Sequence, residues 1–310
     1  MTTKNPFDSI NLDILNHVSG LSGFPDGAFN IRLNGMSVGK HSTPGVDIVP
    51  KTDLAGIEVH VRPGVCETIH IPVIISNTGI KELVYNDFFI GEGAQVTIIA
   101  GCGIHNCGAL LSQHDGIHSF YVGKNAKVSY FEKHYGAGEG SGEKILNPIT
   151  RCYLSEGSSM EMDTVQIEGV DSTKRETYGK LEKDTSFVVR EKIRTHGKQH
   201  AETAFIVDHD GENSSSHLIS RSVATDDSYQ VFLSKINGNA KCRGHSECDA
   251  ILSERGAVKA MPEIAAYHVD AELIHEATIG KIAGEQFVKL MTLGLTEKEA
   301  ETQILNGFLK

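Results

Sequence analysis

The chain has 310 residues, enough for one large domain or two small ones with a sizeable core. Its 29 Lys and Arg stand against 40 Asp and Glu, a formal charge of -11, which argues against a nucleic-acid or anionic-membrane surface. Six cysteines are too few for a disulfide scaffold, no apolar run approaches the roughly 18 residues of a membrane span, and the start MTTKNPFDSINLDIL lacks a secretion leader, so the expectation is a cytoplasmic protein with reduced thiols.

Residues 1–30 read as a short N-terminal segment in which DSINLDILNHVSGLSG predicts a short helix ended by Gly20 or Gly23. Residues 31–268 alternate short β-like runs with glycine and polar turns: IEVHV, ETIHIPVII, QVTIIAG, KVSYFEKHYG, TSFVVREKI and YQVFLSKI. Within them lies a repeat. FIGEGAQVTIIAG from Phe89, YVGKNAKVSYFEK from Tyr121 and YLSEGSSMEMDTV from Tyr153 share one pattern, and their starts are 32 residues apart both times. Looser copies begin at Lys180 and Ser222, 27 and 42 residues further on. A period near 30 with short strands predicts a mainly β solenoid, most simply a parallel β-helix. A β-sandwich with similar strands fits the same texture.

Residues 269–310 read as a helical C-terminal region. AELIHEATIGKIAGEQFVKLMTLG, ending at Gly294, has apolar residues at Ala277, Ile279, Ile282, Phe287, Leu290 and Met291, close to helical spacing. LTEKEAETQILNGFLK then offers Thr296 as N-cap with Glu299 three residues on, a capping-box pattern, and an apolar stripe at Ala300, Ile304 and Leu305.

Side chains able to carry chemistry gather in three places. CRGHSECDAIL holds Cys242 and Cys248, six apart rather than the C-x-x-C of zinc ribbons. On a straight strand they face one side about 20 Å apart, so they share a ligand only if the chain bends, which Gly244 would allow. Buried core thiols fit the spacing as well. IHEAT places His275 beside Glu276, a pair able to bind iron or zinc. Ile279 stands where H-E-x-x-H needs its second histidine, and capping with solvation fits the pair too. GCGIHNCG places Cys102, His105 and Cys107 in a glycine-rich turn, a metal-like mixture that is also simply compact. Cys66 and Cys152 read as core or strand-facing thiols. His114, His118, His134, His196, His200, His209 and His217 are scattered and read singly as hydrogen-bonded surface or turn residues. GMSVGKHST is one residue short of a phosphate loop, and no G-x-S-x-G elbow occurs.

SECDAIL, then MPEI, then DAELIHEATIGKIAGEQFVKLMTLGLTEKEAETQILNGFL resemble the C-terminal half of the SufB/SufD family of iron–sulfur cluster assembly proteins. The specific match covers the C-terminal 65 or so residues, and residues from about 86 to 241 match in texture. The resemblance implies a right-handed parallel β-helix with a C-terminal helical tail. It implies a scaffold without enzymatic activity of its own, whose residues 276–310 dock a SufC-like ABC-type ATPase. It implies subunits paired through their C-terminal strands, here as a homodimer, and a transient iron–sulfur cluster, 4Fe-4S in type, handed to apo-proteins. Participation of a flavin stays open. The family's cluster-ligand cysteine falls on Cys248, and its histidine and glutamate positions on His275 and Glu276. Having all three is SufB-like. Cys242 is an additional thiol, a further ligand or a sulfur carrier, and Cys102, Cys107 and Cys152 are candidates for accepting sulfur. The alternative is a non-catalytic β-helix binding or structural protein whose thiols are core residues.

Overall fold

In the computed structural model, which describes residues 6–309, one corner of the chain recurs coil after coil. Gly64, Gly93, Asn125, Gly157, Asp184 and Asn213 all take φ between 55° and 72°. Each donates its backbone N–H to the coil that follows, as in Asn125 to Glu156 and Asn213 to Lys241. A left-handed residue is needed at that corner, and glycine, asparagine and aspartate adopt it at least cost.

Between such corners run two ten-stranded sheets, and successive strands alternate between them. The first strands pair antiparallel, Ala28–Leu33 with Met36–His41 and Val46–Pro50 with Gly56–Val61. From Cys66 onward every coil-to-coil pairing is parallel, giving a β-solenoid of about eight turns with C-terminal helices. One sheet ends in Ser214–Ala224, Cys242–Leu252 and Glu272–Gly280, the other in His200–His209, Tyr229–Gly238 and Ala257–Ala266. The predicted repeat is the coil register itself: Phe89 pairs Tyr121, and Tyr121 pairs Tyr153. Their rings stack on the outer flank at 5.1 and 5.2 Å. Tyr153 pairs Lys180 as expected, but Lys180 pairs Asp208, and Ser222 lies in the opposite sheet. The 42-residue step thus crossed from one sheet to the other.

The interior is filled by inward residues of both sheets, with Phe88 flat on Phe120 at 4.4 Å and Tyr130, Phe187 and Phe205 fully buried. Helix α1 (Ser9–Ser19) starts at Asp8, whose carboxylate accepts from the Asn11 N–H, and ends at Gly20 with φ 71°. It buries Ile14, Leu15 and Val18 against the outer face of one sheet. Gly103 makes room there, since a Cβ on it would lie 2.1 Å from Ile14 Cγ2.

The helix predicted from Ala271 to Gly294 is instead a strand over Glu272–Gly280, followed by helix α2 (Gly284–Met291). The strand pairs in register with Cys242–Leu252. Ala277 and Ile279 are two apart, the spacing of one strand face and not of a helix face, and the unsatisfied edge of the preceding coil takes the segment up as a strand. Helix α3 (Glu297–Phe308) has the predicted capping box of Thr296 and Glu299 and buries Ala300 and Leu305. Leu305 packs with Val223 and Ile282, so the tail folds back on the flank of the last coils. Among the described residues no helix is long and apolar enough to cross a membrane.

Substituting Gly103→Ala should destabilise the fold by about 1–3 kcal/mol through overpacking against α1. Gly280→Ala, where a Cβ meets nothing within 4 Å, should leave the urea midpoint unchanged. Equal midpoints for the two variants would refute this account of the α1 seat.

Candidate functional site

Along Cys242–Leu252 side chains alternate. Cys242, Gly244, Ser246, Cys248 and Ala250 face the interior, while Arg243, His245, Glu247 and Asp249 face out. Cys248 is 1% exposed and belongs to the main apolar cluster. Burial pushes its thiol up to about 12, with the carboxylates of Glu191 and Asp249 adding to the rise.

The next strand in the sheet, Glu272–Gly280, places Ala277 beside Cys248, His275 beside Ser246 and Glu276 beside Glu247. His275 therefore lies on the same inward side as Cys248, one strand across and two residues along, about 8 Å between Cα atoms by strand geometry. Its Nδ1 is shut off from solvent and has no hydrogen-bond partner. Glu276 points the other way. Its side chain is 67% exposed, and Oε2 stands 3.5 Å from Nε2 of His245. Adjacent residues on a strand cannot face one point, so the fold brings His275 toward Cys248 and separates Glu276 from both.

Cys242 is not brought to Cys248 either. The register through Gly244 is unbroken, so six residues hold the two thiols about 20 Å apart. Gly244 is there for packing, since a Cβ would lie 2.7 Å from Ile236 Cγ2. Cys242 instead lines a cavity of about 350 Å³ with Lys241, Arg243, Asp270 and Glu272. Cys102 and Cys152 are buried, and burial raises both thiols. Cys107 is exposed, its Sγ 3.7 Å from Nδ1 of His105. Cys66, expected in the core or along the strand, is exposed at the first position of its strand.

A polar seam that no motif announced runs inside the solenoid. Arg175 pairs with Glu132, and its Nε lies 3.6 Å from Glu191. Tyr130 donates to Glu132 and meets Nδ1 of His118 at 2.9 Å. Glu191 accepts from Thr203 and Ser220, both at 2.9 Å, and Ser220 is the coil partner of Cys248. Burial works to raise the Glu132 carboxyl, yet Arg175 and His134 hold it well below its ordinary value. Burial also holds the His118 and His209 imidazoles down, each to about 4. His114, His118, His134 and His209, read singly as surface or turn residues, are buried. Most of these contacts cross between the two sheets, so their sequence separations, from 2 to 43, carry no common spacing that could have found them.

On the outer face His217 and His245 are coil partners, their rings parallel within 6° at 4.7 Å. His217 Nε2 lies 3.7 Å from Glu247 Oε2. As the side chains stand, no three histidine, cysteine or acidic residues among those described converge on a single point.

A β-solenoid that offers a thiol, imidazoles and carboxylates on the two faces of its last coils has the donor types of a metal–sulfur assembly protein. Residues 83–308 match the SufBD core domain of the SUF system for FeS cluster assembly, and the chain belongs to that family. It is 31% identical over 234 residues to an iron–sulfur cluster assembly SufBD family protein of Archaeoglobus fulgidus, covering 74% of this chain and 61% of that one. It is 27% identical over 265 residues to a SufBD family protein of Methanothermobacter thermautotrophicus, covering 83% and 63%. A SufBD family protein of Synechocystis is 27% identical over 229 residues, covering 71% and 47%. The chain thus spans about three fifths of the length of the first two relatives.

Two predictions follow from the polar seam. Arg175→Met leaves the Glu132 carboxylate buried without its guanidinium, held only by Tyr130 and His134, and should cost about 3–5 kcal/mol in urea unfolding, part of it regained by adding Glu132→Gln. His118 and His209 are neutral in the fold and protonate more readily in the unfolded chain, whose histidines titrate near 6.5. Acidification from about 6.5 toward about 4 should therefore lower stability, and His209→Gln should flatten the fall between about pH 7 and about pH 5.

Proposed function

We propose that this chain is a scaffold on which an iron–sulfur cluster, 4Fe-4S in type, is built and then passed to apo-proteins, with Cys248 and His275 as its ligands. The observation that carries this reading is their shared inward face on the last two strands of one sheet. Thiolate is the ligand such clusters select, and a single thiolate backed by imidazole holds a cluster less firmly than four thiolates, which suits release. A thiol pushed up to about 12 is protonated at neutral pH, so iron must displace its proton. Cluster loading should then slow as pH falls.

The site lies next to a free edge. Glu272–Gly280 is the last strand of its sheet, has no proline, and exposes Ile274 and Ile279. The last strand of the other sheet, Ala257–Ala266, carries Pro262, which removes one donor. A second copy pairing along Glu272–Gly280 would cover His275 and bring a second thiol–imidazole set close by. This favours a homodimer with the cluster at the contact, in the SufB-like manner that Cys248, His275 and Glu276 suggest.

The tail is the proposed dock for a SufC-like ABC-type ATPase. Val288, Met291 and Leu293 are exposed apolar residues on or just after α2, while α3 holds to the solenoid. Of the proposed dock, residues 276–280 are strand, which leaves α2 and α3 for the partner. ATP binding supplied by that partner would move the tails and the contact with them. For sulfur arrival, Cys107 is the accessible thiol among the three candidates, with Nδ1 of His105 3.7 Å from its Sγ.

The second reading, a structural β-helix with core thiols, draws on the 1% exposure of Cys248. Anaerobic reconstitution with iron and sulfide separates the two. Wild type should turn brown with a thiolate-to-iron absorbance, Cys248→Ser should lose most of it, and His275→Ala should release cluster faster to an apo-ferredoxin. Equal cluster content in Cys248→Ser and wild type would favour the structural reading. Deleting residues 284–310 should abolish recovery of an ABC-type ATPase from the native cytoplasm.

A further inference from the structure

The wall of the solenoid is thin where α1 crosses it. The helix lies over Cys66–Ile75, Gln95–His105 and Lys127–Ala137 of one sheet. Beneath it the outward positions of the middle strand are Gly101 and Gly103, on either side of the inward Cys102. A Cβ on Gly101 would lie 2.9 Å from the Val18 carbonyl oxygen, and one on Gly103 2.1 Å from Ile14 Cγ2. The coil partner of Gly101 is Pro72, which has no N–H to give the ladder. Ala28 and Phe29 pair with Ile69 and His70, and Arg32 and Leu33 with Val73 and Ile74, so that pairing lapses opposite Ile71 and Pro72.

Gly101 also lines a small interior chamber with Cys102, His114, His118, Glu132 and His134. The chamber offers about 10 Å³ to the centres of water-sized molecules, room for about one. His114 is 6% exposed, and its Nδ1 is shut off from solvent without a hydrogen-bond partner. It faces Oε2 of Glu82, likewise unpartnered, at 3.4 Å. Buried polar atoms are normally paired, and an unpaired one on the chamber wall is a binding group.

What seats α1 is apolar: Ile14, Leu15 and Val18 on Phe29, Ile31 and Ile74, with the His17 ring flat on Tyr135 at 4.4 Å. The hydroxyl of Ser19 and Nδ1 of His17 bond back to carbonyls of their own helix. Gly20 and Gly27, at φ 71° and 97°, bracket the turn that joins α1 to the first strand. Lifting the helix leaves the coil-to-coil ladders beneath it paired. A short peripheral helix opens at less cost than the core.

We propose that α1 is a hinged cover over this chamber and that Cys102 is a gated thiol, closed to anything larger than water while α1 is seated and open to small disulfides and persulfides when it lifts. The inference does not need the scaffold reading. It accounts for two glycines and a proline in the middle of a sheet, where each weakens a strand.

Labelling of the folded full chain with dithiodipyridine, read peptide by peptide, tests it. Each event joins the protein sulfur to one half of the reagent, breaks the reagent's S–S bond and releases the other half as thiopyridone, which takes up the thiol proton. Cys66 and Cys107 are exposed and should react first. Cys152, 0% exposed and in the other sheet, reports opening of the core. Cys102 should react faster than Cys152 and with a shallower dependence on urea, because lifting α1 exposes less surface than unfolding. Leu15→Ala removes a fully buried anchor of α1 and should speed Cys102 on the order of 30-fold. Leu218→Ala, in the main core and away from α1, should speed Cys152 and leave Cys102 at its wild-type rate. Val207→Ala, in the same core, carries that comparison should Leu218→Ala fail to fold. Three results would each overturn the inference: Cys102 no faster than Cys152 in wild type, Cys102 unmoved by Leu15→Ala, or Cys102 sped as much as Cys152 by the core variants.

Discussion

Everything in this molecule depends on coil-to-coil register. Each residue lies beside its counterpart one turn on, about 4.8 Å away, and shares its direction, inward or outward. Ring stacks such as Phe88 on Phe120 inside and Phe89, Tyr121 and Tyr153 outside are direct products of that rule. So is the interior seam, in which Arg175 and Glu132 meet across the solenoid between two sheets that neither could leave. A buried ion pair of this kind is weak evidence for stability in itself. It does penalise slippage, because a shift of one residue would strand both charges.

The same rule divides the chemistry of the last coils. His275 and Glu276 are neighbours in sequence and opposites in space, the first with Cys248, the second with His245. A motif that reads as one chelating pair on paper is split between the two faces of the sheet. The raised thiol of Cys248 inside and the half-exposed imidazoles outside make those faces chemically unlike, the inner one apolar and soft, the outer one wet and harder in its donors.

Much of the fold was legible because repetition is a sequence property. The 32-residue spacing of Phe89, Tyr121 and Tyr153 is the pairing register. Gly20 ends α1, and Thr296 with Glu299 starts α3, because caps are local. What failed was what depends on neighbours. The Ser222 copy was set in the wrong sheet, since two strands per coil leave a half-period ambiguity. Glu272–Gly280 read as helix because a nine-residue segment has no way to announce the open edge beside it. The motif positions Cys248 and His275 stood out, but that Glu276 parts from them needed the alternation of a strand that the sequence had placed in a helix. Glu132, Arg175 and Glu191 carried no motif at all, and nothing local marks a charge destined for the inside.

The two ends of the solenoid are built differently. At the first end the chain turns antiparallel in strands of five and six residues, Pro50 sits on the rim, and the side chains of Lys40 and Ser42 occupy the carbonyl and N–H of Ile48. At the other end a nine-residue strand offers its backbone freely. A rod adhesive at both tips polymerises, whereas one with a single sticky tip stops at two. Among the described strands the blunted first end and the open last strand therefore differ in how much unpaired backbone they offer a further strand.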